Sequence, residues 1–264
     1  MCSKAQMSER QVTVVTGASQ GIGREIAVAF GGRGDVVVLA ARNVDGLNSA
    51  AEAVSEAGGL PLVVETDVTS SDSVQQMVET VLGQQHRIDV LVNNSGVGGP
   101  SGRLWEVDPV EWRATFEVNV FGVFLTSRAV LPVMIGQRTG SVVIVGSISG
   151  KRPLFGRSAY TSTKTALIGL TRTLAVEAGG HGVRVNLISP GFVAGPRLDW
   201  VMEAQAKARG IAVEDVQREF EAESALGRLT EPGDVAQAAV FLASDAASGI
   251  TGADLNVNSG VVMY

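Results

Sequence analysis

Tyr160 and Lys164 have the spacing in this sequence that points most directly to chemistry. They lie four residues apart in a stretch with helical spacing, so both side chains share one helix face, one turn apart. An unperturbed tyrosine, with a pKa of ~10, exchanges its proton slowly near neutrality. A cation within ~4 to 6 Å lowers such a pKa by about 1 to 3 units. The pair is therefore suited to give a proton to an alkoxide-like oxygen, such as the one left when hydride reduces a carbonyl.

Ser147 is the third residue that fits this chemistry. It ends an apolar run thirteen residues before Tyr160, and its hydroxyl can hold a substrate oxygen and stabilise the charge developing there. The alternative is that Ser147 serves only the turn beside Gly146. Coincidence explains the Tyr160 and Lys164 pairing poorly, because four lysines in 264 residues give this match by chance about 1.5% of the time.

A glycine cluster follows the first predicted strand and opens the first predicted helix. It reads Thr16-Gly17-Ala18-Ser19-Gln20-Gly21-Ile22-Gly23. Gly17 permits a tight turn, Gly21 lets the backbone approach a pyrophosphate, and Gly23 allows close helix packing. The helix N-terminus offers free N–H groups and a partial positive charge to phosphates. The spacing is one residue longer than G-x-G-x-x-G and a plain turn uses the same residues, but the position after strand one favours a dinucleotide site.

The end of the second predicted strand indicates which dinucleotide is bound. An acid about 20 residues after the glycines would bind ribose hydroxyls, whereas an arginine there matches a 2′-phosphate. This sequence has Ala41 and Arg42 at that place and no acid. Arg42 can pair with a phosphate through bidentate, charge-assisted hydrogen bonds. The sequence predicts NADP(H) in preference to NAD(H); the alternative is that Arg42 is a surface cation at the start of the next helix.

Apolar runs rich in Val and Ile alternate with longer stretches of helical spacing. The predicted strands are 12–16, 36–40, 62–65, 88–93, 141–146 and 183–189, each covered on both faces, and the predicted helices are 21–31, 44–57, 71–84, 109–134 and 158–178. Because parallel neighbours need a crossover, usually helical, this alternation predicts a parallel sheet. Without a linker or repeat in the series, residues 1–264 are expected to form a single α/β domain.

The alternation breaks once, at residues 192–227. Two charged, Ala-rich stretches, 198–209 and 213–223, have the pattern of amphipathic helices, and Trp200 lies in the first. One interpretation is a solvated surface element. The other is a lid over a substrate pocket, because open α/β sheets bind ligands beyond the carboxyl ends of their strands.

Composition narrows the remaining possibilities. The chain is 45% hydrophobic and 18% charged, with 21 Lys and Arg against 27 Asp and Glu, so a nucleic-acid partner is not expected. The single cysteine, Cys2, excludes an internal disulfide, and with two histidines no metal site is expected. No run approaches the roughly 18 unbroken apolar residues of a membrane helix. We expect a soluble, cytoplasmic protein without membrane partners.

Taken together, these motifs resemble the short-chain dehydrogenase/reductase family, in the expected order over nearly the whole chain. The matching motifs are the Thr16 to Gly23 cluster, Asn93-Asn94-Ser95-Gly96, Asn119, Ser147, Tyr160-x-x-x-Lys164 and Pro190-Gly191. The tail, with Phe241-Leu-Ala-Ser-Asp and Ile250-Thr-Gly-Ala-Asp-Leu-Asn-Val, is most similar to the 3-oxoacyl-[acyl-carrier-protein] reductase branch. The resemblance implies a Rossmann-type, doubly wound parallel sheet of about seven strands with helices on both faces. It also implies a bound nicotinamide dinucleotide and a homotetramer with helices 109–134 and 158–178 between subunits.

The resemblance also implies roles for single residues. The catalytic set is Asn119, Ser147, Tyr160 and Lys164. Lys164 would also bind the nicotinamide ribose, and Asn119 would mark a kinked helix and a water-mediated proton path. Asparagine is a poor helix former, which favours such a role, although an exposed polar residue is the alternative.

The expected cofactor contacts extend beyond the glycine cluster. They comprise Gly17, Ser19, Gln20, Gly21, Ile22, Gly23, Arg42, Asp67, Val68, Asn94, Ser95, Gly96, Tyr160, Lys164, Pro190, Gly191 and Val193. Asp67 is alternatively a helix cap for the stretch beginning near Ser71. Ser95 replaces a more usual alanine. The threonine often found after Pro-Gly is absent, so backbone groups near Val193 would take its place.

The expected activity is NADPH-dependent reduction of a carbonyl, foremost a 3-oxoacyl thioester, to a secondary alcohol with Tyr160 as the acid. The substrate is small or carrier-bound, and a basic rim of Arg128, Arg138, Arg152 and Arg172 would favour an acidic carrier protein. Two alternatives stay open. One is another substrate class, such as a steroid, sugar, polyketide or other secondary alcohol; the other is a dinucleotide sensor without turnover, which would not need Tyr160, Lys164 and Ser147.

Overall fold

The computed structural model, which describes residues 10–152 and 154–264, contains one sheet of seven parallel strands. The strands are β1 (Val12–Thr16), β2 (Val36–Ala41), β3 (Leu60–Glu65), β4 (Val90–Asn93), β5 (Gly140–Val145), β6 (Val183–Pro190) and β7 (Asp254–Val257). Their order across the sheet is β3-β2-β1-β4-β5-β6-β7, and every neighbouring pair is parallel. Cys2 lies outside the described residues.

Nine α-helices connect and cover the strands in the described part of the chain. They are α1 (Gly21–Gly32), α2 (Val44–Glu56), α3 (Ser71–Gln85), α4 (Pro109–Phe116), α5 (Gly122–Gln137), α6 (Ser158–Gly179), α7 (Pro196–Arg209), α8 (Val213–Ala222) and α9 (Pro232–Ala243). Helices α1, α2 and α9 share an apolar core with one face of the sheet, and α3, α5 and α6 share a second core with the other. The predicted doubly wound sheet is confirmed.

The central strands owe their position to continuous apolar sequence. In β1, β2 and β4 the side chains are buried on both faces, with Val14 in register with Val38 on one side and Leu91 on the other. The prediction that each of these strands is covered on both faces is wrong for β3, an edge strand that stays partly exposed. The other edge strand, β7, was not among the six predicted runs and is also partly exposed. Strand β4 begins later than predicted, because the Gln137 side chain pairs with both backbone groups of Ile88.

The strand order creates a crevice at the carboxyl edge of the sheet. The chain passes from β1 outward to β2 and β3, then crosses back to place β4 on the other side of β1. The loops that follow β1 and β4 therefore diverge to opposite faces, and open α/β sheets bind ligands at such a switch point. Gly17 and Asn94 are the first residues beyond these two strands.

The helix predicted over 109–134 is not continuous. A π turn, Glu117–Phe121, separates α4 from α5, which continues to Gln137. By length and composition alone, Pro109–Gln137 is the one run among the described residues that could span a membrane. Its inner face packs in the core through Val123, Val130 and Met134.

The segment between β6 and α9 contains two helices, α7 and α8, where the sequence predicted helical stretches at 198–209 and 213–223. Helix α7 packs on α8 around a small separate core of Met202, Ala206 and Val216. Arg209 of α7 forms two hydrogen bonds of 2.6 Å to Glu219 of α8. At the other end of the segment, the rings of Phe192 and Phe220 lie 4.4 Å apart. Helices α7 and α8 thus form a separately packed unit that is attached to the end of β6.

Candidate active site

Tyr160, Lys164 and Ser147 converge at the carboxyl end of β5. Tyr160 and Lys164 lie in the first two turns of α6, with the Lys164 Nζ 5.7 Å from the centre of the Tyr160 ring. The Lys164 Nζ donates a 2.9 Å hydrogen bond to the Val145 carbonyl at the end of β5, which fixes the ammonium in a buried position. Ser147 follows two residues later, and its hydroxyl lies close enough to the Tyr160 phenol to act on it as a hydrogen-bond partner. The predicted juxtaposition of the three side chains is present.

The charges around Tyr160 favour its ionised form. Burial alone raises the pKa of the Tyr160 phenol, but Lys164, Arg197, the hydrogen bond with Ser147, and Arg157 outweigh it and lower the pKa below its ordinary value. Burial also lowers the pKa of Lys164; Tyr160 opposes this shift and Arg197 adds to it. The phenol can therefore exchange a proton closer to neutrality than a free tyrosine does.

Asn119 lies in the π turn and is fully buried, which excludes the interpretation as an exposed polar residue. Its Oδ1 accepts from the Val97 N–H at 2.8 Å, and its Nδ2 donates to the Val97 carbonyl at 2.9 Å and to the Thr163 hydroxyl at 3.1 Å. A Cβ on Gly96 would lie 3.3 Å from the Asn119 Oδ1 and 3.6 Å from the Lys164 Nζ. Asn119 and Lys164 thus flank the same loop residue.

Two arginines that the sequence analysis did not place in the site flank the Tyr160 ring. The Arg157 Cζ lies 5.5 Å from the ring centre, and the Arg197 Cζ lies 5.4 Å from it. Arg157 precedes α6, and its position three residues before Tyr160 is a helical spacing that could have identified it. Arg197 lies in the first turn of α7 and is brought in only by the tertiary fold.

The glycine cluster forms a turn that leaves the start of α1 open. Gly17 has a φ of +66°, and a Cβ there would lie 3.0 Å from the Cα of Ser95. Helix α1 begins at Gly21 with no side-chain cap on its first turn and no acid in that turn. A Cβ on Gly21 would meet nothing within 4 Å. Uncapped N–H groups facing open space suit a phosphate group.

Gly23 is the glycine whose replacement should most disturb this turn. A Cβ there would lie 2.2 Å from the Gly17 carbonyl oxygen and 2.3 Å from the Asn94 Nδ2. We expect Gly23→Ala to cost about 3 kcal/mol of folding free energy and to lower the Tm by about 5 to 10 °C. Gly83→Ala is the matched control, because a Cβ on this α3 residue meets nothing within 4 Å and should stabilise the helix slightly. Equal melting curves for Gly23→Ala and the unmodified protein would contradict the close approach.

The loop after β4 packs against the turn formed by residues 17–23, which we call the glycine cradle. The Asn94 Nδ2 donates to the carbonyls of Thr16 and Gly17 at 3.0 and 3.2 Å. The Thr16 hydroxyl accepts from the backbone N–H groups of Asn94 and Ser95. The side chain of Asn94 therefore holds the turn itself, while Gly96 continues the loop towards Lys164.

Arg42 and Asp67 lie at the ends of the neighbouring strands β2 and β3. Arg42 is exposed between β2 and Asn43, the residue that caps α2. The Asp67 carboxylate accepts hydrogen bonds from the Thr69 N–H and hydroxyl, which, with some help from Arg42, lower the pKa of Asp67. The alternative role of Asp67 as the cap of α3 is wrong, because the Ser70 side chain caps that helix. Val68 is buried beside Asp67.

The segment after β6 offers backbone groups rather than side chains. Pro190 ends β6, and the Gly191 N–H donates to the Val257 carbonyl at 3.1 Å. Thr230 pairs with the Phe192 carbonyl and the Ala194 N–H. Because successive peptide groups of an extended chain point to opposite sides, the N–H and C=O of Val193 face away from Thr230.

The predicted basic rim does not form one patch. Arg138 lies at the C-terminal end of α5 beside Gly182, at the opposite edge of the sheet from Tyr160. Arg152 pairs with Glu223 at 2.9 Å and covers the Phe192 ring.

Among the described residues, no group of three or more His, Cys, Asp or Glu side chains is placed to hold a metal ion.

Comparisons with known proteins agree with this geometry. The family model described as "Enoyl-(Acyl carrier protein) reductase" matches residues 17–262. A 3-oxoacyl-[acyl-carrier-protein] reductase of Thermotoga maritima is 36% identical over 97% of this chain and 99% of its own. A cis-4-hydroxycyclohexanecarboxylate dehydrogenase of Sinomonas cyclohexanicum is also 36% identical, over 95% of this chain and 96% of its own.

Among solved structures, actinorhodin polyketide ketoreductase with NADPH superposes with a TM-score of 0.92. The two sequences are 31% identical, and the match covers 97% of this chain and 98% of the other. Family members are oxidoreductases that interconvert carbonyls and alcohols with a nicotinamide dinucleotide. The chain belongs to the short-chain dehydrogenase/reductase family.

Proposed function

We propose that this protein is an NADP(H)-dependent reductase that converts a carbonyl to a secondary alcohol. The observation that carries the proposal is the Tyr160 phenol, with Lys164 and Ser147 beside it, at the carboxyl edge of the sheet that also holds the glycine cradle. A dinucleotide sensor would need the cradle and not this proton donor. The reaction is reversible, and the cofactor ratio sets its direction.

Four side chains have tasks in the proposed reaction. Tyr160 donates its phenolic proton to the carbonyl oxygen, and Ser147 donates a hydrogen bond to the same oxygen and stabilises its developing charge. Lys164 stabilises the resulting phenolate and holds the nicotinamide ribose. Asn119 is proposed to border the path by which a water returns a proton past Lys164, because both side chains flank Gly96.

The cofactor-binding residues of the proposal lie along the carboxyl edge of the sheet, on both sides of the crevice between β1 and β4. The uncapped start of α1, residues 19–23 together with Gly17, would hold the pyrophosphate. Asp67 and Val68 would meet the adenine, the Asn94 to Gly96 loop the ribose, and the backbone from Pro190 to Val193 the carboxamide. When bound, the nicotinamide supplies the hydride that the chain's own residues cannot.

The preference for NADP(H) is assigned to Arg42. Its exposed guanidinium at the end of β2 forms no hydrogen bond with the described residues and can form a charge-assisted pair with a 2′-phosphate. Arg42→Ala should weaken NADPH binding about 10- to 100-fold and leave NADH binding nearly unchanged, as measured by fluorescence titration. Arg10→Ala, at the opposite edge of the sheet, is the control and should change neither affinity. Equal losses for both nucleotides would refute the phosphate contact.

A 3-oxoacyl thioester is the first candidate substrate, because the similar Thermotoga protein is named for that substrate class. Polyketides and alicyclic hydroxy acids are further candidates, from the names of the other similar proteins. The lid is proposed to be residues 192–227, because Arg197 reaches the Tyr160 ring from the first turn of α7.

We further propose a cytoplasmic homotetramer. Phe121 of the π turn and Phe124 of α5 are exposed with their rings 5.4 Å apart, and α6 exposes Val176. These apolar faces belong to the two helices that are expected to pack between subunits, and burying them on a second subunit removes apolar surface from water.

The proposed reaction is tested with purified protein, NADPH and a panel of acetoacetyl thioesters and ketones. We expect carbonyl-dependent loss of NADPH absorbance, faster than the same assay with NADH. Tight NADPH binding without turnover of any carbonyl would refute the reductase and favour the sensor.

A further inference from the structure

Three cations surround the proton donor, and the proposed reaction uses only one of them. Lys164 lies 5.7 Å from the centre of the Tyr160 ring, and the guanidinium carbons of Arg157 and Arg197 lie 5.5 and 5.4 Å from it. The two arginines also meet each other. A Cβ on Gly98 would lie 2.9 Å from an Nη2 atom of each guanidinium.

Neither arginine forms an ion pair with a carboxylate of the described residues. Arg157 donates to the Ser101 hydroxyl at 2.9 Å and to the Gly98 carbonyl at 2.7 Å, both neutral acceptors, and its buried Nε has no partner. Burial and the neighbouring Arg197 lower the pKa of Arg157. Arg157 is half-buried and Arg197 is exposed, and an anion that contacts both guanidinium groups would offset the repulsion between their like charges.

The phosphates of the cofactor are not placed to be that anion. The loop after β4 contacts the site in order along the chain: Ser95 meets Gly17 of the cradle, Gly96 meets Lys164, and Gly98 meets the two arginines. The arginines therefore lie beyond Lys164 from the cradle. Arg197 also belongs to the proposed lid. Both observations place Arg157 and Arg197 on the substrate side of the candidate active site.

We propose that the substrate carries a carboxylate close to its reacting carbonyl, bound by Arg197 and by the remaining N–H groups of Arg157. Guanidinium groups form paired hydrogen bonds with carboxylates, which fixes both position and orientation. Because each guanidinium lies against the Tyr160 ring itself, carboxylate and carbonyl are separated by only a few bonds. The inference rests on the proposed reductase and selects small oxo acids from its candidate substrates.

A carrier-bound substrate has its anionic group elsewhere. In a carrier-bound acyl thioester, the phosphate lies at the far end of the pantetheine arm from the carbonyl. It therefore cannot reach the guanidinium groups beside Tyr160 when the carbonyl is at the phenol. The acyl thioester presents only neutral atoms near its carbonyl. Thioesters therefore serve as the uncharged comparison in the test.

The test compares each oxo acid with its own methyl ester in NADPH-dependent reduction. The pairs are 3-oxobutanoate, 4-oxopentanoate and 4-oxocyclohexanecarboxylate with their esters, and acetoacetyl-N-acetylcysteamine is the thioester. For at least one pair we expect kcat/KM at least about 10-fold higher for the acid, since the ester keeps the carbonyl and loses the charge. Acids and esters that react equally well would overturn the inference and leave the reductase intact.

Arg197→Gln is the decisive variant, because no hydrogen bond or ion pair to described residues depends on this side chain. Because Arg197 also lowers the pKa of Tyr160, the variant acts on both substrates, but kcat/KM should fall about 10- to 100-fold more for the preferred acid than for its ester. Any change that it causes in the Tyr160 pKa acts on acid and ester alike. Arg218→Gln, in the same lid but paired with Asp215, is the control and should change neither. Equal losses for acid and ester in Arg197→Gln would overturn the inference.

A binding measurement separates this inference from the proposed function. Cyclohexanecarboxylate has no carbonyl to reduce, so its binding, followed by calorimetry with NADP⁺ present, needs no turnover. We expect binding that Arg197→Gln weakens about 10-fold or more and Arg218→Gln leaves unchanged. Such binding without turnover of any carbonyl would support the anion site and refute the reductase. Turnover of ketones without such binding would support the reductase and refute the anion site.

Discussion

Replacing Tyr160 by phenylalanine should lower kcat for carbonyl reduction by about 10²- to 10⁴-fold, the range expected when a general acid is removed. The phenyl ring keeps its place against Lys164, Arg157 and Arg197, and only the hydroxyl that faces Ser147 is lost. NADPH affinity should therefore change little. Steady-state kinetics and a nucleotide titration on the same preparation measure both quantities.

The chain offers a matched control for this substitution. Its other tyrosine, Tyr264, is exposed at the last position, so Tyr264→Phe removes the same hydroxyl far from the chemistry. We expect the kinetics of that variant to equal those of the unmodified protein. A Tyr160→Phe enzyme that keeps its full rate would remove Tyr160 from the role of acid.

Replacing Lys164 by methionine should move the pH dependence of the reverse reaction. Alcohol oxidation needs the phenolate, and its rate rises with pH through the Tyr160 pKa. Without the ammonium that lowers it, this pKa rises, so oxidation at neutral pH should fall about 10-fold or more. The loss should shrink as the pH approaches the new pKa. Kinetics of secondary alcohol oxidation across a pH series measure the shift.

Methionine suits this test because the site of the ammonium is buried and an apolar chain of similar length fills it. Lys207→Met, on the exposed side of α7, is the control and should leave the profile in place. An unchanged inflection in Lys164→Met would show that Lys164 does not tune the acid.

Local spacing was enough to predict that Tyr160 and Lys164 lie together on one helix. Four residues between Tyr160 and Lys164 define a helix face whatever surrounds it, and the structure places both on α6. The alternation of apolar runs likewise predicted a parallel sheet, because it depends on the chain order of the elements. The glycine cluster was placed correctly at the start of α1 for the same reason.

Two of the three features that the sequence did not predict depend on distant contacts. Arg197 reaches Tyr160 only because α7 folds back over the carboxyl edge of the sheet, and no short-range pattern encodes that approach. Helix α9 was missed although its capping box, formed by Glu231 and Asp234, is visible in the sequence. The start of β4 was misplaced because a side chain, Gln137, substitutes for a neighbouring strand.

The π turn at Glu117–Phe121 makes this part of the chain intolerant of changes in length. A π turn contains one residue more than the corresponding stretch of α-helix, and each residue advances an α-helix by about 100°. Deleting one residue here would let the stretch close into regular α-helix, so α4 and α5 would keep their buried faces, but Asn119 would lose the bulge that brings it to Val97 and Thr163. A single-codon deletion would therefore spare the interior of the protein and disrupt the candidate active site.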